Sequence, residues 1–125
     1  MKKLTKEKIR WVIKRLPYIK KMIKLNIKEK YFYISNKKEL IIIDNDVLTI
    51  INIMGEIINS EKQEWLKKIF LMISKGYKDV KIIISSPIER SKYYLIKEKL
   101  TSKIFQCCIY KGLVDYIDIL EEKIE

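Results

Sequence analysis

The sequence predicts a mainly α-helical single domain carrying a small β-hairpin and, towards its C-terminal end, a helix-turn-helix. Three observations predict it. The 125 residues are 48 % hydrophobic, enough to bury one core without disulfide or metal staples. Apolar residues recur at steps of three and four along most of the chain, the period of a buried helix face. One stretch departs from that period: "YFYISNKKELIII" at 31–43 pairs two runs of aromatic and branched residues around a polar turn, as a hairpin would.

Taken in order, Thr5 caps a first helix whose Ile9, Val12, Ile13 and Leu16 make a stripe, with Trp11 beside it and Lys or Arg opposite. Pro17 imposes a kink or a fresh start, because a residue before proline is driven out of the helical region. Ile19, Met22, Ile23 and Ile27 then continue the stripe, so residues 1–30 read as a basic helical arm. The hairpin occupies 31–44, with strands at 31–35 and 39–43. Asp44, Asn45 or Asp46 caps the next helix, which turns Val47, Ile50, Ile51, Met54, Ile57 and Ile58 inward. Ser60 and Gln63 form a capping box, opening a helix at Glu61 that buries Trp65, Leu66, Ile69, Phe70 and Ile73 and ends at Gly76.

The segment "YKDVKIII" at 77–84 fits strand or helix by period, and its flanks favour helix. Ser86, Pro87 and Glu89 supply an N-cap, a proline at the first helical position and a reciprocal partner at the third, for a long helix over 87–111. The helical core thus spans 46–111, with the helix-turn-helix at 78–111. Val114, Ile117, Leu120 and Ile124 place a C-terminal helix over 113–124, docked within the chain or on a second copy.

The long helix changes character along its length. Tyr93, Ile96, Leu100, Ile104 and Cys107 make one apolar face, while Arg90, Ser91, Lys92, Tyr94, Lys97 and Lys99 crowd the first half of the remaining surface. Beyond Lys103, Phe105, Cys108, Ile109 and Tyr110 add apolar surface on other sides, so the far half is expected to be enclosed and the near half to project. A helix gripped at its tail with a free, basic tip is what major-groove reading needs. Arg90 suits bidentate contact with guanine, Lys92 and Lys97 suit phosphates, and Ser91 and Tyr94 suit either. Lys99, Lys78 and Lys81 complete the candidate DNA-binding set.

Charge agrees with an anionic partner. Cations number 27 against 16 anions, and the signs are segregated: 14 against 2 in residues 1–38, 1 against 6 in 39–66, 11 against 3 in 67–111, and 1 against 5 in 112–125. A Lys- and Ile-rich composition explains part of the total, but coding bias has no reason to separate the signs.

The series "LMISKGYKDVKIIISSPIERSKYYLIKEKLTSKI" resembles the C-terminal part of small phage and prophage transcriptional regulators of the ArpU and RinA type, which are similar to the promoter-reading region 4 of sigma factors. The likeness covers roughly residues 60–111. It implies a DNA-binding unit with Arg90, Ser91, Lys92, Tyr94 and Lys97 at reading positions and Tyr93 and Ile96 at packing positions. It also implies control of phage late genes, with double-stranded DNA and RNA polymerase as partners. The chain departs from that pattern at "IIISSP", in place of a small residue and glycine, and at Glu89, in place of a helix-opening serine.

Other classes are weighed on residues. The chain has no His, which removes the commonest general base and metal ligand, so no enzyme and no cofactor are expected. Glu39, Asp44 and Asp46 read as caps before a helix rather than a magnesium site. The glycines Gly55, Gly76 and Gly112 are too far apart for a phosphate-cradling loop. Adjacent Cys107 and Cys108 read as packing residues. The basic N-terminus has no apolar signal core, and the Ile-rich 40–58 stretch is broken by Asp44, Asn45, Asp46, Asn52 and Glu56, so a cytoplasmic protein with no membrane span is expected. Two alternatives stay open: a protein interaction module, or homodimer, using the hairpin and the acidic tail "DYIDILEEKIE", and RNA binding through the basic arm. Tyr31, Phe32 and Tyr33 beside Lys28 and Lys30 suit either base stacking or a hairpin core.

Overall fold

The computed structural model of the chain describes residues 4–24, 32–34 and 40–114, and these are mainly helical. In chain order they form α1 (Lys6–Lys14), α2 (Leu16–Lys24), β1 (Phe32–Ile34), β2 (Leu40–Ile42), α3 (Asn45–Ser60), α4 (Glu64–Ser74), α5 (Asp79–Ser85) and α6 (Arg90–Tyr110). The two strands, shorter than the runs 31–35 and 39–43, pair antiparallel with Tyr33 opposite Ile41.

Several helix ends follow from local chemistry. The Thr5 hydroxyl accepts from the Lys8 N–H at 3.1 Å, and the Asp44 carboxylate accepts from the Val47 N–H at 2.9 Å. Each satisfies one of the donors a helix start leaves bare. Arg15 separates α1 from α2, and Pro17 is the second residue of the new helix, where a missing N–H costs nothing. Gly76 closes α4 at φ +80°: its N–H donates to Ile73 at 3.0 Å and that of Tyr77 to Met72 at 3.2 Å, the two bonds of a Schellman motif. A side chain there would put its Cβ 3.0 Å from the Leu16 carbonyl oxygen and 3.2 Å from Pro17 Cα, so glycine also lets the end of α4 abut the start of α2.

The centre of the fold is α6, against which α1, α3 and α4 pack; α4 also packs on α3 and α5. Ile9, Val12, Leu16, Ile50, Met54, Phe70, Ile82, Tyr93, Leu100 and Ile104 are fully buried among them. Each such side chain contributes roughly 1.5–3 kcal/mol. Residues 4–19 contribute to the core through that stripe: Leu4, Ile9, Val12, Ile13, Leu16 and Ile19 are all buried. Arg10 reaches Glu98 across the α1–α6 contact at 2.7 Å. The Leu4 N–H donates to the Leu113 carbonyl at 2.8 Å, joining the first described residue to the turn after α6.

Two expected helix starts are corrected. Ser60 is the last residue of α3, its hydroxyl donating back to the Ile57 carbonyl, and α4 begins at Glu64 rather than Glu61. Glu61 wins locally because its carboxylate accepts from the Gln63 N–H at 3.2 Å and from Lys103 of α6 at 3.0 Å, a tertiary tie no capping pattern reports. Ser86 likewise ends α5, its N–H donating to the Ile82 carbonyl at 3.0 Å. Pro87 falls in the turn, and α6 starts at Arg90 behind Glu89, whose side chain makes no capping bond. Burial of Ile82 holds the last turn of α5, and Ile88, packed against the core, holds the connection.

Some core assignments also change. Trp65 is half exposed, since α4 is already covered along Leu66, Ile69, Phe70 and Ile73. Ile53 is buried, whereas Ile51 and Ile57 are only partly covered. At the far end of α6 the enclosed residues are Thr101, Ile104, Phe105 and Cys108. Cys107 is half-buried, and Tyr110 is exposed rather than packed. Burial pushes the Cys108 thiol up to about 11, which leaves it a neutral packing residue. The expectations for the side chains of Met22, Ile23, Phe32 and Tyr33, for Ile27, Lys28, Lys30 and Tyr31, for residues 35–39 and for the C-terminal helix beyond Val114 lie outside what the structure describes.

Candidate nucleic-acid interface

The candidate site is built on α5, the four residues 86–89 and the first turns of α6. Asp79 in the first turn of α5 accepts from the Tyr93 hydroxyl at 2.6 Å and from the Lys97 ammonium at 3.2 Å. Burial, then the hydrogen bond to Asp79, raises the Tyr93 pKa far above its ordinary value, so the phenol keeps its proton and keeps donating. These two bonds tie α5 to α6 and neutralise Asp79.

With α5 locked, the first turns of α6 present Arg90, Ser91, Lys92, Tyr94 and Leu95 to solvent. Leu95 is 71 % exposed, an apolar side chain among polar ones that the sequence reading did not single out. Its signal was available: it lies two residues from buried Tyr93 and so off the apolar stripe. From Ile96 on, every third or fourth residue is buried, through Leu100 and Ile104.

The expected site residues fall on two flanks of this tip. On one, the Lys92 ammonium stands 5.4 Å from the centre of the Trp65 ring, and exposed Lys99 follows seven residues later, two helical turns along the same side. On the other, Lys78, Lys97 and Tyr94 line one groove with Tyr77 of the α4–α5 connection and Lys14 of α1. Lys81, exposed on α5, sits 4.6 Å from the centre of the Tyr77 ring. Lys97 differs from the other cations: only 16 % of its side chain is exposed, and its charge is spent on Asp79. Trp65, Tyr77 and Lys14 were not expected here; the last comes from α1, more than sixty residues away in the chain.

Glu89 and Glu98 are the carboxylates nearest the tip in sequence. Glu98 belongs to the α1 contact, where the hydrogen bond from Arg10 holds it below the usual carboxylate range. Glu89 is exposed at the N-cap of α6. Among the described residues no group of His, Cys, Asp and Glu could hold a metal ion, and no helix is long and apolar enough to cross a membrane. Asp44, considered as a ligand from sequence, caps α3 and lies 3.7 Å from Lys8. In comparisons with known proteins, the chain matches no family model, no curated protein and no solved structure.

Proposed function

We propose that the chain is a non-enzymatic, sequence-specific DNA-binding regulator that inserts the first two turns of α6 into the major groove, with α5 braced across the backbone. The observation that carries this reading is the exposed tip of a helix whose body is buried, with Asp79 beside it already neutralised. In this reading Arg90 reads a guanine, Ser91 and Tyr94 hydrogen-bond to bases or phosphates, and Leu95 meets a thymine methyl. Lys92 and Lys99 hold phosphates on one flank, and Lys78 and Lys81 on the other. Lys97 is a positioning residue, holding α5 at its angle to α6. The resemblance to ArpU and RinA regulators extends the proposal to a cytoplasmic protein that controls phage or prophage late genes, with RNA polymerase as a partner.

Selection of bound duplexes from a random DNA pool, followed by titration at several salt concentrations, tests it. Arg90→Ala should cost roughly 1–3 kcal/mol and relax preference at one base pair. Lys92→Ala should weaken binding to all duplexes and lower the log–log salt slope by about 0.9. Equal affinities for wild type and both variants would end the proposal, and preference for RNA competitors would favour the RNA reading.

A second reading rests on Val80 and Ile84, which are 55 % and 74 % exposed one turn apart on α5. Such a pair suits a protein partner or a second copy of the chain. Sedimentation equilibrium of wild type and Ile84→Asp separates the two uses of α5. Self-association lost in the variant supports the interface, and a monomer throughout removes the homodimer.

A further inference from the structure

Between α1–α2 and α5–α6 runs an open groove of about 370 Å³. Lys14, Tyr77, Lys78, Asp79, Tyr94 and Lys97 supply its polar lining. Asp79 and Lys97 neutralise each other, whereas neither Lys14 nor Lys78 makes an ion pair among the described residues. Among the described residues, the groove therefore carries two positive charges with no ion-pair partner, between tyrosine rings. Its volume falls within the roughly 300–1,000 Å³ typical of small-ligand sites, yet it is partly open to solvent, which leaves room for a polymer to pass.

Two further facts select the polymer. Tyr94 belongs both to this groove and to the exposed tip of α6, so whatever lies against Ser91 and Leu95 continues over Tyr94 into the groove. Lys14 also lines the adjoining depression of about 600 Å³ on α1, beside Lys8, Trp11 and Arg15. There Lys8 and Arg15 stand 4.5 and 4.6 Å from the centre of the Trp11 ring. Together the two linings hold more cations than carboxylates, although Lys8 faces Asp44 and Arg10 pairs with Glu7 and Glu98.

We infer that this groove receives the sugar–phosphate backbone of the same duplex that α6 enters, with Lys14 and Lys78 as phosphate contacts, which makes α1 a third DNA-contacting helix beside α5 and α6. The inference rests on the reading of α6 proposed above and extends it to a helix outside the helix-turn-helix. Phosphate contacts add affinity and fix register without reading sequence, so the groove would orient the duplex on the tip.

The test is fluorescence anisotropy of a labelled mixed-sequence DNA duplex, titrated over a salt series with wild type, Lys14→Ala/Lys78→Ala, Lys92→Ala and Lys62→Ala. Lys62 is the control. It neighbours Glu61, which binds Lys103, thirteen residues or roughly 20 Å along α6 from Arg90. All four positions are exposed, and matching thermal unfolding verifies that each variant folds.

Two lost phosphate contacts should lower the salt slope of the double variant by about 1.8, with Lys62→Ala unchanged. An unaltered slope in the double variant beside a lowered one in Lys92→Ala overturns the groove and leaves α6 as the reader. A lowered slope in the double variant with Lys92→Ala unchanged upholds the groove and removes the assigned role of Lys92. Wild type that binds no duplex sinks the groove and the reading of α6 together.

Discussion

Tyr93 has the most consequential position of any single residue, because it is buried in the core yet sends its hydroxyl to Asp79. Tyr93→Phe keeps the ring and removes the donor, and should destabilise the fold by about 1–2 kcal/mol, measured by denaturant unfolding. Duplex binding should weaken as well, since α5 loses one of two ties to α6. Ile96 marks where the tip ends and the core begins, with 5 % of its surface exposed. Ile96→Ala should cost roughly 2–5 kcal/mol by leaving a cavity. Unchanged thermal unfolding would place the wrong face of α6 inward.

At the scale of elements, the junctions are more informative than the helices. The close of α4 needs a residue at positive φ and room for the Leu16 carbonyl in the same place. Gly76→Ala violates both demands and should destabilise by roughly 2 kcal/mol or more, read as a lowered midpoint of thermal unfolding. The connection from α5 to α6 is held by Ile88 packed on the core rather than by a cap at Ser86. This is why three residues with strong N-terminal preferences do not start the helix. Local hydrogen bonding at such positions contributes about 1 kcal/mol, less than the full burial of Ile82 in the last turn of α5.

For the whole molecule, ion pairs join segments that are distant in sequence. Arg10 with Glu98 ties α1 to α6, and Lys103 with Glu61 ties α6 to the start of the α3–α4 connection. The hydrogen bond from Lys103 lowers the pKa of Glu61, and that from Arg10 lowers the pKa of Glu98. A carboxylate whose folded-state pKa is depressed stabilises the fold above its unfolded value, here about 4.5. That stability is lost as pH falls through the lower folded values. Thermal stability should therefore decline below about pH 4.5, and Glu98→Gln should flatten that decline. An acid limb identical in wild type and variant would show that the α1–α6 pair contributes nothing measurable.

The helical class, the caps at Thr5 and Asp44, the break at Pro17, the stop at Gly76 and most of the buried faces were legible in the sequence. These depend on interactions within a few residues, on periodicity and on the few side chains that satisfy bare backbone donors. The exposed first half of α6 was legible for the same reason, since an apolar stripe identifies its own opposite face. The remainder waited for tertiary structure. No local pattern reports that Lys103 draws Glu61 away from a capping box, or that Asp79 takes up Lys97. Nor does one report that Lys14 of α1 lines one groove with Tyr94 of α6. Such pairings are decided by packing around α6, which brings together side chains that chain order keeps far apart.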